Sequence, residues 1–336
     1  MRNRALAGLI GVGITVALLA WVLRDVSFGE VWHAARSADV FWIVAAVLLA
    51  TSTFVLRLFR WRLILRTAED RPLPTAALWH SIAIGFMANN ILPFRAGELL
   101  RAFAVTRLGG VPITTALSSL LLERLFDAVT IITLLFVGLL SAGDPRVDPG
   151  RRLRGRRVAT RTAMLVGVLL GACVVGLAFP KLADGVIHRL APARLADRVV
   201  GMLDGVRSGL GALRSPSRIA AVTLWSAAVW LVNGLSFYAG FKAFKIVVGF
   251  GGALLQQSLL VLGIAVPSTP GFFGPFEAAI KAVLALFGVD SNAAVSFALT
   301  YHFTTFLPIT LLGLWSLART PVSLKGLREA SAATAP

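Results

Sequence analysis

The 336-residue sequence is poor in charged residues and in cysteine. Charged residues make up 15% of it and apolar residues 57%, whereas soluble globular proteins have about 25% charged and 45–50% apolar residues. A soluble enzyme is therefore not expected. The single cysteine, Cys173, lies in an apolar run and cannot form a disulfide within the chain. Cysteine usage therefore does not indicate a redox compartment.

Motifs for nucleotide, metal and nucleophilic chemistry are also missing. No GxxxxGKS/T loop is present, so the sequence encodes no ATP motor of that kind. The four histidines are scattered without the spacing of metal ligands, at His33, His80, His188 and His302. No pairing of a nucleophile with a base can be recognised. We therefore expect no cofactor, no metal site and no enzymatic activity.

Acidic residues are half as frequent as basic ones. Lysine and arginine total 33 against 16 acidic residues, a formal net charge of +17. In a soluble domain this charge would suggest a nucleic-acid partner. Here most basic residues lie in the gaps between long apolar runs, so the pattern indicates a membrane surface and no nucleic-acid partner.

Long apolar runs are what the sequence has in abundance. About 20 helical residues cross a hydrocarbon core about 30 Å thick. The first run, residues 5–23, is too long for the core of a signal peptide and is predicted to be a retained helix. Six full spans are predicted, at residues 5–23, 40–56, 116–140, 163–179, 219–241 and 293–318. The sequence therefore predicts an all-α, multi-pass membrane protein.

Two further apolar stretches are interrupted where a spanning helix would continue. Residues 75–92 end at Pro93, and residues 250–266 end at Pro267. Each is followed by a second short helix, at residues 97–108 and 272–287. Irregular backbone at membrane depth occurs only where protein or a water-filled cavity surrounds it. We therefore expect two re-entrant or broken helical hairpins, at about 75–108 and 250–287. The candidate breaks and hinges are Pro93, Gly97, Pro267, Pro270, Gly271 and Gly274.

The layout of the two hairpins is similar, although their residues match weakly. In each, an apolar helix, a Pro/Gly break and a glutamate opening the next helix follow in order, with Glu98 and Glu277 as the glutamates. Three full spans separate the hairpins, so the second would enter from the opposite face. The hairpins are therefore predicted to be inverted repeats that meet at a midplane site, as in many transporters. The alternative is the general frequency of proline and glycine in membrane helices.

Ionisable residues inside apolar segments are the best candidates for a site, because a charge at the bilayer centre costs at least about 2.5–3.5 kcal/mol. Glu123 and Asp127 lie four residues apart, on one face of a predicted span, and require a cation between them. Arg95 and Arg101 could supply it, or could bind a lipid phosphate through their planar guanidinium groups. A substrate site and a purely structural charge cluster are equally compatible with this pattern. The candidate substrate-binding residues are Asn90, Arg95, Glu98, Arg101, Glu123, Arg124, Asp127, Glu277 and Lys281.

Two of these candidates have simple alternatives. Glu98 at a helix start is favourable to the helix dipole without any ligand. Glu277 and Lys281 are four residues apart in the order that favours a pair on one helix. A pair between Glu277 and Lys281 is expected slightly more than a substrate or proton site that both residues share.

Basic residues also predict the orientation. Arg2 and Arg4 precede the first span, and five arginines follow the second, at Arg57, Arg60, Arg62, Arg66 and Arg71. With six full spans, both termini are predicted to be cytoplasmic. The arginine-rich loop at 144–161 would then lie outside, which contradicts the rule, so its side stays open. An amphipathic helix is predicted along the surface at 182–213, and a disordered tail at 321–336.

Taken together, three motifs resemble the flippase-like transmembrane domain of lysylphosphatidylglycerol synthases and its stand-alone relatives. They are Asn90-x-x-Pro93-x-Arg95-x-Gly97-Glu98-x-x-Arg101, Glu123-Arg124-x-x-Asp127 and Pro267-x-x-Pro270-Gly271-x-x-Gly274-x-x-Glu277. The resemblance implies a single flippase-like domain at 1–320. In the synthases this region is implied to move aminoacylated phospholipid between leaflets. Too few residues follow the last span for an aminoacyltransferase domain, so synthase activity is not expected.

The expected function is therefore translocation of a phospholipid or lipid-linked head group across the bacterial inner membrane, either downhill or coupled to an ion. Arg95 and Arg101 would bind the phosphate. Glu98, Asp127 and Glu277 would bind an amino group or a coupling proton. Two alternatives stay open: a membrane enzyme acting on a lipid-linked sugar, and a non-transporting partner of a separate lipid-modifying enzyme.

Overall fold

The computed structural model describes residues 2–92, 96–141, 180–190, 215–264 and 270–322, together with 164, 192, 195–197 and 199–201. Several predicted features lie outside these residues. They are all but residue 164 of the span at 163–179, the loop at 144–161, half of the surface helix at 182–213, nearly all of the tail, and the hairpin residues Pro93, Arg95 and Pro267.

All regular elements of the described residues are helices, which confirms the predicted all-α fold. They are α1 (Arg2–Leu23), α2 (Phe28–Arg36), α3 (Val40–Ile64), α4 (Thr75–Ile91), α5 (Gly97–Gly109), α6 (Ile113–Ser141), α7 (Pro180–Leu190), α8 (Pro216–Ala243), α9 (Phe250–Gly263), α10 (Pro275–Leu286) and α11 (Ser291–Ala318). A short 3₁₀ turn, Pro270–Phe272, precedes α10.

Three described helices, α3, α8 and α11, are long and apolar enough to cross a membrane. They correspond to three of the six predicted spans. Two other predicted spans lie within α1 and within α6, which has 29 residues. The outward faces of α3, α8 and α11 carry exposed large apolar side chains, as expected for helices in contact with lipid. Among them are Phe41, Leu48, Val55, Leu224, Leu231, Phe303, Leu307 and Leu311.

The most extensive contact between two described helices is that of α3 with α8. Buried residues of α3 recur every three or four positions, as one face of a helix requires. Phe54, Leu58 and Trp61 on this face join the apolar core around α4, α5 and α6. The same face contains Arg57 and Arg60, since α3 continues to Ile64 instead of ending at residue 56. These two arginines are therefore buried, and their assignment to a basic loop was wrong.

The first hairpin, α4 and α5, is held by a close contact between its arms. A Cβ atom at Gly97 would collide with the carbonyl oxygen of Gly85, so only glycine fits there. The Gly97 N–H donates to Oδ1 of Asn89 at 2.9 Å, which fixes the start of α5. A Cβ atom at Gly85 would in turn meet Cβ of Arg101 at 2.7 Å. The glycine contact therefore holds Arg101 close to α4.

The second hairpin consists of α9, the 3₁₀ turn and α10. Gly274 has φ of +92°, a conformation open mainly to glycine, and forms the N-cap of α10. The turn Pro270–Phe272 contacts α4, so the end of this hairpin lies against the first one. The arms of both hairpins have 12 to 17 residues. A helix that crosses the whole bilayer needs about 20 residues.

Candidate functional site

The largest group of buried charges joins α3 to α6. Arg60, which is fully buried, donates from Nη1 to Oδ1 of Asp127 at 2.5 Å. Its Nη2 lies 3.0 Å from Oε1 of Glu123. Glu123 is also fully buried and Asp127 is 2% exposed. Arg60 of α3 therefore supplies one cation between the two carboxylates, although the sequence analysis had assigned it to a loop.

Arg101 of α5 binds the same carboxylate of Glu123. Its Nη1 and Nη2 donate to Oε1 and Oε2 at 2.9 and 3.0 Å, which is a bidentate pair. The guanidinium carbon lies 3.8 Å from the centre of the Trp61 ring, and Trp61 donates to Oγ of Ser119 at 3.0 Å. Arg101 is thus fixed on one side by a carboxylate and on the other by an aromatic face.

Arg124 and Glu98 form the more accessible edge of this group. Arg124 Nη2 donates to Glu123 Oε1 at 2.7 Å and lies 3.2 Å from Asp127 Oδ2. Its Nη1 is 3.7 Å from Oε1 of Glu98. The side chains of Arg124 and Glu98 are 41% and 43% exposed. Water or a ligand can therefore reach the buried charges from this edge.

A tryptophan on α8 completes the shell around Asp127. Trp230 Nε1 donates to Oδ1 of Asp127 at 2.8 Å, and Ser226 Oγ lies 3.1 Å from Nη1 of Arg60. The group therefore draws on α3, α5, α6 and α8. We call it the charge cluster; its ionisable members are Arg57, Arg60, Glu98, Arg101, Glu123, Arg124 and Asp127.

A cavity of about 510 Å³ adjoins the cluster at the end of α3 and the start of α6. Its lining includes Ser119 and Leu122, next to the Trp61 and Glu123 positions. Asp70, one of its lining residues, binds Arg66 and Arg218, with Arg218 donating at 2.9 and 3.0 Å. Hydroxyl groups line much of the wall, from Thr67, Thr114, Thr115, Ser118 and Ser119.

Glu277 lies apart from this cluster, in the second hairpin. Its Oε2 accepts from the Gly274 N–H at 2.7 Å, and its Oε1 is 2.6 Å from Nδ1 of His302 on α11. Both side chains are buried, and the His302 ring stacks on Phe276 at 4.0 Å. Lys281 instead donates to the Val22 carbonyl at 2.7 Å. The expected pair of Glu277 with Lys281 is therefore wrong, because each has a partner on another helix.

The predicted site residues thus fall into separate places. Glu98, Arg101, Glu123, Arg124 and Asp127 come together in the charge cluster. Glu277 and Lys281 lie in the second hairpin, beside α11 and α1. Asn90 donates from Nδ2 to Oγ1 of Thr310 at 2.9 Å and contacts neither group by hydrogen bond in the described residues.

Sequence reasoning missed Arg57, Arg60, Trp230 and the role of His302. A signal for the first two was present, since both continue the three-and-four spacing of the buried face of α3. For Trp230 and His302 no local signal exists. Their partners are 103 and 25 residues away in sequence.

The fold and the buried cluster together define a multi-pass helical membrane protein. The chain belongs to the family of the lysylphosphatidylglycerol synthase transmembrane region, whose model matches residues 8–313. It is 25% identical to a UPF0104 membrane protein of Methanothermobacter thermautotrophicus over 90% of each chain. A second protein of that name from the same organism is 19% identical, over 93% of this chain and 92% of its own.

A further relative has a different name and a greater length. The chain is 28% identical to the glycosyltransferase AglD of Haloferax volcanii over 348 residues. The match takes in 96% of this chain and 56% of that protein. The chain therefore spans little more than half of AglD.

Proposed function

We propose that the protein moves a phospholipid or lipid-linked head group between the leaflets of the cytoplasmic membrane, without ATP. The observation that carries this proposal is the charge cluster, a buried polar centre inside a bundle with apolar outer faces. Two buried carboxylates and three buried arginines meet there. A head group crossing the hydrocarbon core needs such a centre, since hydrocarbon cannot solvate its charge.

The half-exposed pair of Glu98 and Arg124 is the proposed point of entry. A phosphate arriving there can displace a carboxylate from Arg124 and then from Arg101, because phosphate and carboxylate accept the same pair of guanidinium N–H groups. In this proposal Arg101 binds Glu123 when no substrate is present and binds the phosphate of the substrate during transport. Arg95, which follows Pro93 in the sequence and lies outside the described residues, is also proposed to bind the phosphate.

The energy source in this proposal is a lipid gradient or an ion. The buried pair of Glu277 and His302 is the proposed site of a coupling proton, because its carboxylate and imidazole face each other at 2.6 Å and α11 joins them to the first hairpin. Both termini are proposed to be cytoplasmic. A separate enzyme that modifies or consumes the lipid is the proposed functional partner.

Vesicles test the translocation directly. The purified protein is reconstituted into liposomes with a trace of fluorescent phosphatidylglycerol, and a membrane-impermeant reductant bleaches the outer leaflet. In empty vesicles the reductant bleaches about half of the fluorescence, that of the outer leaflet. In vesicles with the protein, and without nucleotide, it should bleach more than half. Arg60→Gln should reduce this effect. Asp25→Asn, which changes only an exposed ion pair, should not.

Bleaching equal to that of empty vesicles, for folded protein and for both a phospholipid and a lipid-linked saccharide, would refute the proposal. The name of AglD favours one alternative, a membrane component of glycolipid synthesis. In that case the protein should bind a lipid-linked sugar but move no lipid. The buried carboxylates favour translocation over catalysis on a sugar, because arginines already bind both Glu123 and Asp127.

A further inference from the structure

Within the residues that the structure describes, one arginine of the charge cluster has no carboxylate partner. Arg57 is 5% exposed, and its Nε is buried without a hydrogen bond. The described residues give its guanidinium group no ion pair. Its neighbours are two aromatic rings, Phe86 at 5.1 Å and Trp230 at 5.6 Å. Aromatic faces stabilise a cation but leave its N–H groups free for an anion.

The nearest carboxylates are already occupied. Asp127 Oδ1 accepts from Arg60 and Trp230, and Oδ2 lies 3.2 Å from Nη2 of Arg124. Glu123 binds Arg60, Arg101 and Arg124. Arg57 also lies one helical turn from Arg60, and repulsion between these two like charges makes burial of the charged Arg57 still less favourable.

The cluster as a whole has a positive excess. Its four arginines face three carboxylates, one of which, Glu98, is 43% exposed. A buried cation without an anion is costly, and proteins keep such a group mainly where it has a function.

We propose that Arg57 is a further anion-binding residue of the cluster, and that its guanidinium group, held beside Phe86 and Trp230, receives the phosphate of a lipid head group after Arg124 and Arg101. This inference rests on the proposed function and names the chemistry of its substrate. Guanidinium suits this role, because its planar fork binds two phosphate oxygens at once. The phosphate completes the charge balance that the described residues of the cluster leave open. Selectivity for lipids with a phosphate follows from it.

Binding and stability together test this role. The probes are dioctanoyl phosphatidylglycerol, dioctanoylglycerol without phosphate, and inorganic phosphate, each added to purified protein in a neutral detergent. Phosphatidylglycerol should bind to the wild type and raise its unfolding midpoint, and dioctanoylglycerol should not. Arg57→Gln should weaken phosphatidylglycerol binding by about tenfold to a hundredfold. Arg57→Lys should keep part of the affinity, and Arg62→Gln, on the same helix outside the cluster, should keep all of it.

The lipid-free proteins separate a binding role from a structural one. Removing an unpaired buried charge should leave the unfolding midpoint of Arg57→Gln equal to or above that of the wild type. Arg101→Gln, which breaks a bidentate pair, should lower it. A lowered midpoint together with unchanged lipid affinity in Arg57→Gln would overturn the inference. Inorganic phosphate that binds as tightly as the lipid would overturn the assignment to a lipid head group.

Vesicles distinguish failure of this inference from failure of the proposed function. If the wild type moves lipid but its lipid affinity does not depend on Arg57, the proposed function stands and the role of Arg57 is refuted. If lipid affinity depends on Arg57 but the protein moves no lipid, the role of Arg57 stands and the proposed function is refuted.

Discussion

Removing the carboxylate of Glu123 should destabilise the bundle strongly. Glu123→Gln keeps the shape of the side chain but removes the charge that Arg101 binds bidentately, at 2.9 and 3.0 Å. Arg60 and Arg124 still have Asp127. Arg101, at 3% exposure, does not have another carboxylate within salt-bridge distance in the described residues. An ion pair broken on one side in a buried site costs about 3–5 kcal/mol, and we expect a loss of that size.

The double variant Arg101→Met/Glu123→Gln makes this expectation specific. Methionine removes the stranded cation and can pack on Trp61, so the double variant should be more stable than the sum of the two single losses predicts. The coupling should amount to about 1–3 kcal/mol. The measurement is the free energy of unfolding in mixed micelles of mild detergent and dodecyl sulfate, followed by tryptophan fluorescence.

Asp70→Asn is the matched control for this series. Asp70 also binds two arginines, Arg66 and Arg218, but these side chains are 18% to 31% exposed. A partly solvated pair is worth about 0–1 kcal/mol. Loss of less than about 1 kcal/mol in Glu123→Gln, or strictly additive losses in the double variant, would refute the account of Glu123 as the charge that holds α5 to α6.

Two further predictions concern topology and hairpin packing. In a Cys173→Ala background, cysteines at position 66 and near position 330 should resist a membrane-impermeant thiol reagent added outside, and labelling near 330 would contradict the cytoplasmic C-terminus. Gly97→Val should lower the free energy of unfolding by about 3 kcal/mol or more, since its side chain meets Gly85. Gly249→Ala, where no atom lies within 4 Å, should change little.

The general architecture could be predicted from the sequence because apolar length and Pro/Gly breaks are local properties. Gly97 begins α5, and the pair of Glu123 and Asp127 faces into the bundle on α6. The partners of these charges could not be predicted, since they depend on which helices meet. Arg60, 67 residues before Asp127, is the clearest case.

The error at Arg57 and Arg60 has a physical cause. A count of apolar residues ends a span at the first charge, because a lone charge is costly in lipid. Inside a bundle the cost is reduced by carboxylates and aromatic rings from other helices, so α3 continues for two more turns. These two arginines are therefore not loop residues and do not bear on the orientation, whereas Arg62, Arg66 and Arg71 still do.

The inverted-repeat relation of the hairpins stays a prediction, and the structure changes how it would act. Glu98 and Glu277 belong to different groups, the second capping its own helix at Gly274. What the hairpins share is α11. Asn90 of the first hairpin binds Thr310 at 2.9 Å, and Glu277 of the second binds His302 at 2.6 Å. These contacts lie eight residues apart, about 12 Å along the helix.

Pro308 lies between these two contact points, inside α11. Proline in a helix removes one backbone hydrogen bond and allows a bend there. Movement of one hairpin against α11 can therefore change the direction of the segment that holds the other. Pro308→Ala should restore the hydrogen bond, leave stability equal or higher, and slow lipid movement in vesicles severalfold while binding is unchanged. Wild-type rates in Pro308→Ala would show that the hairpins do not communicate through a bend in α11.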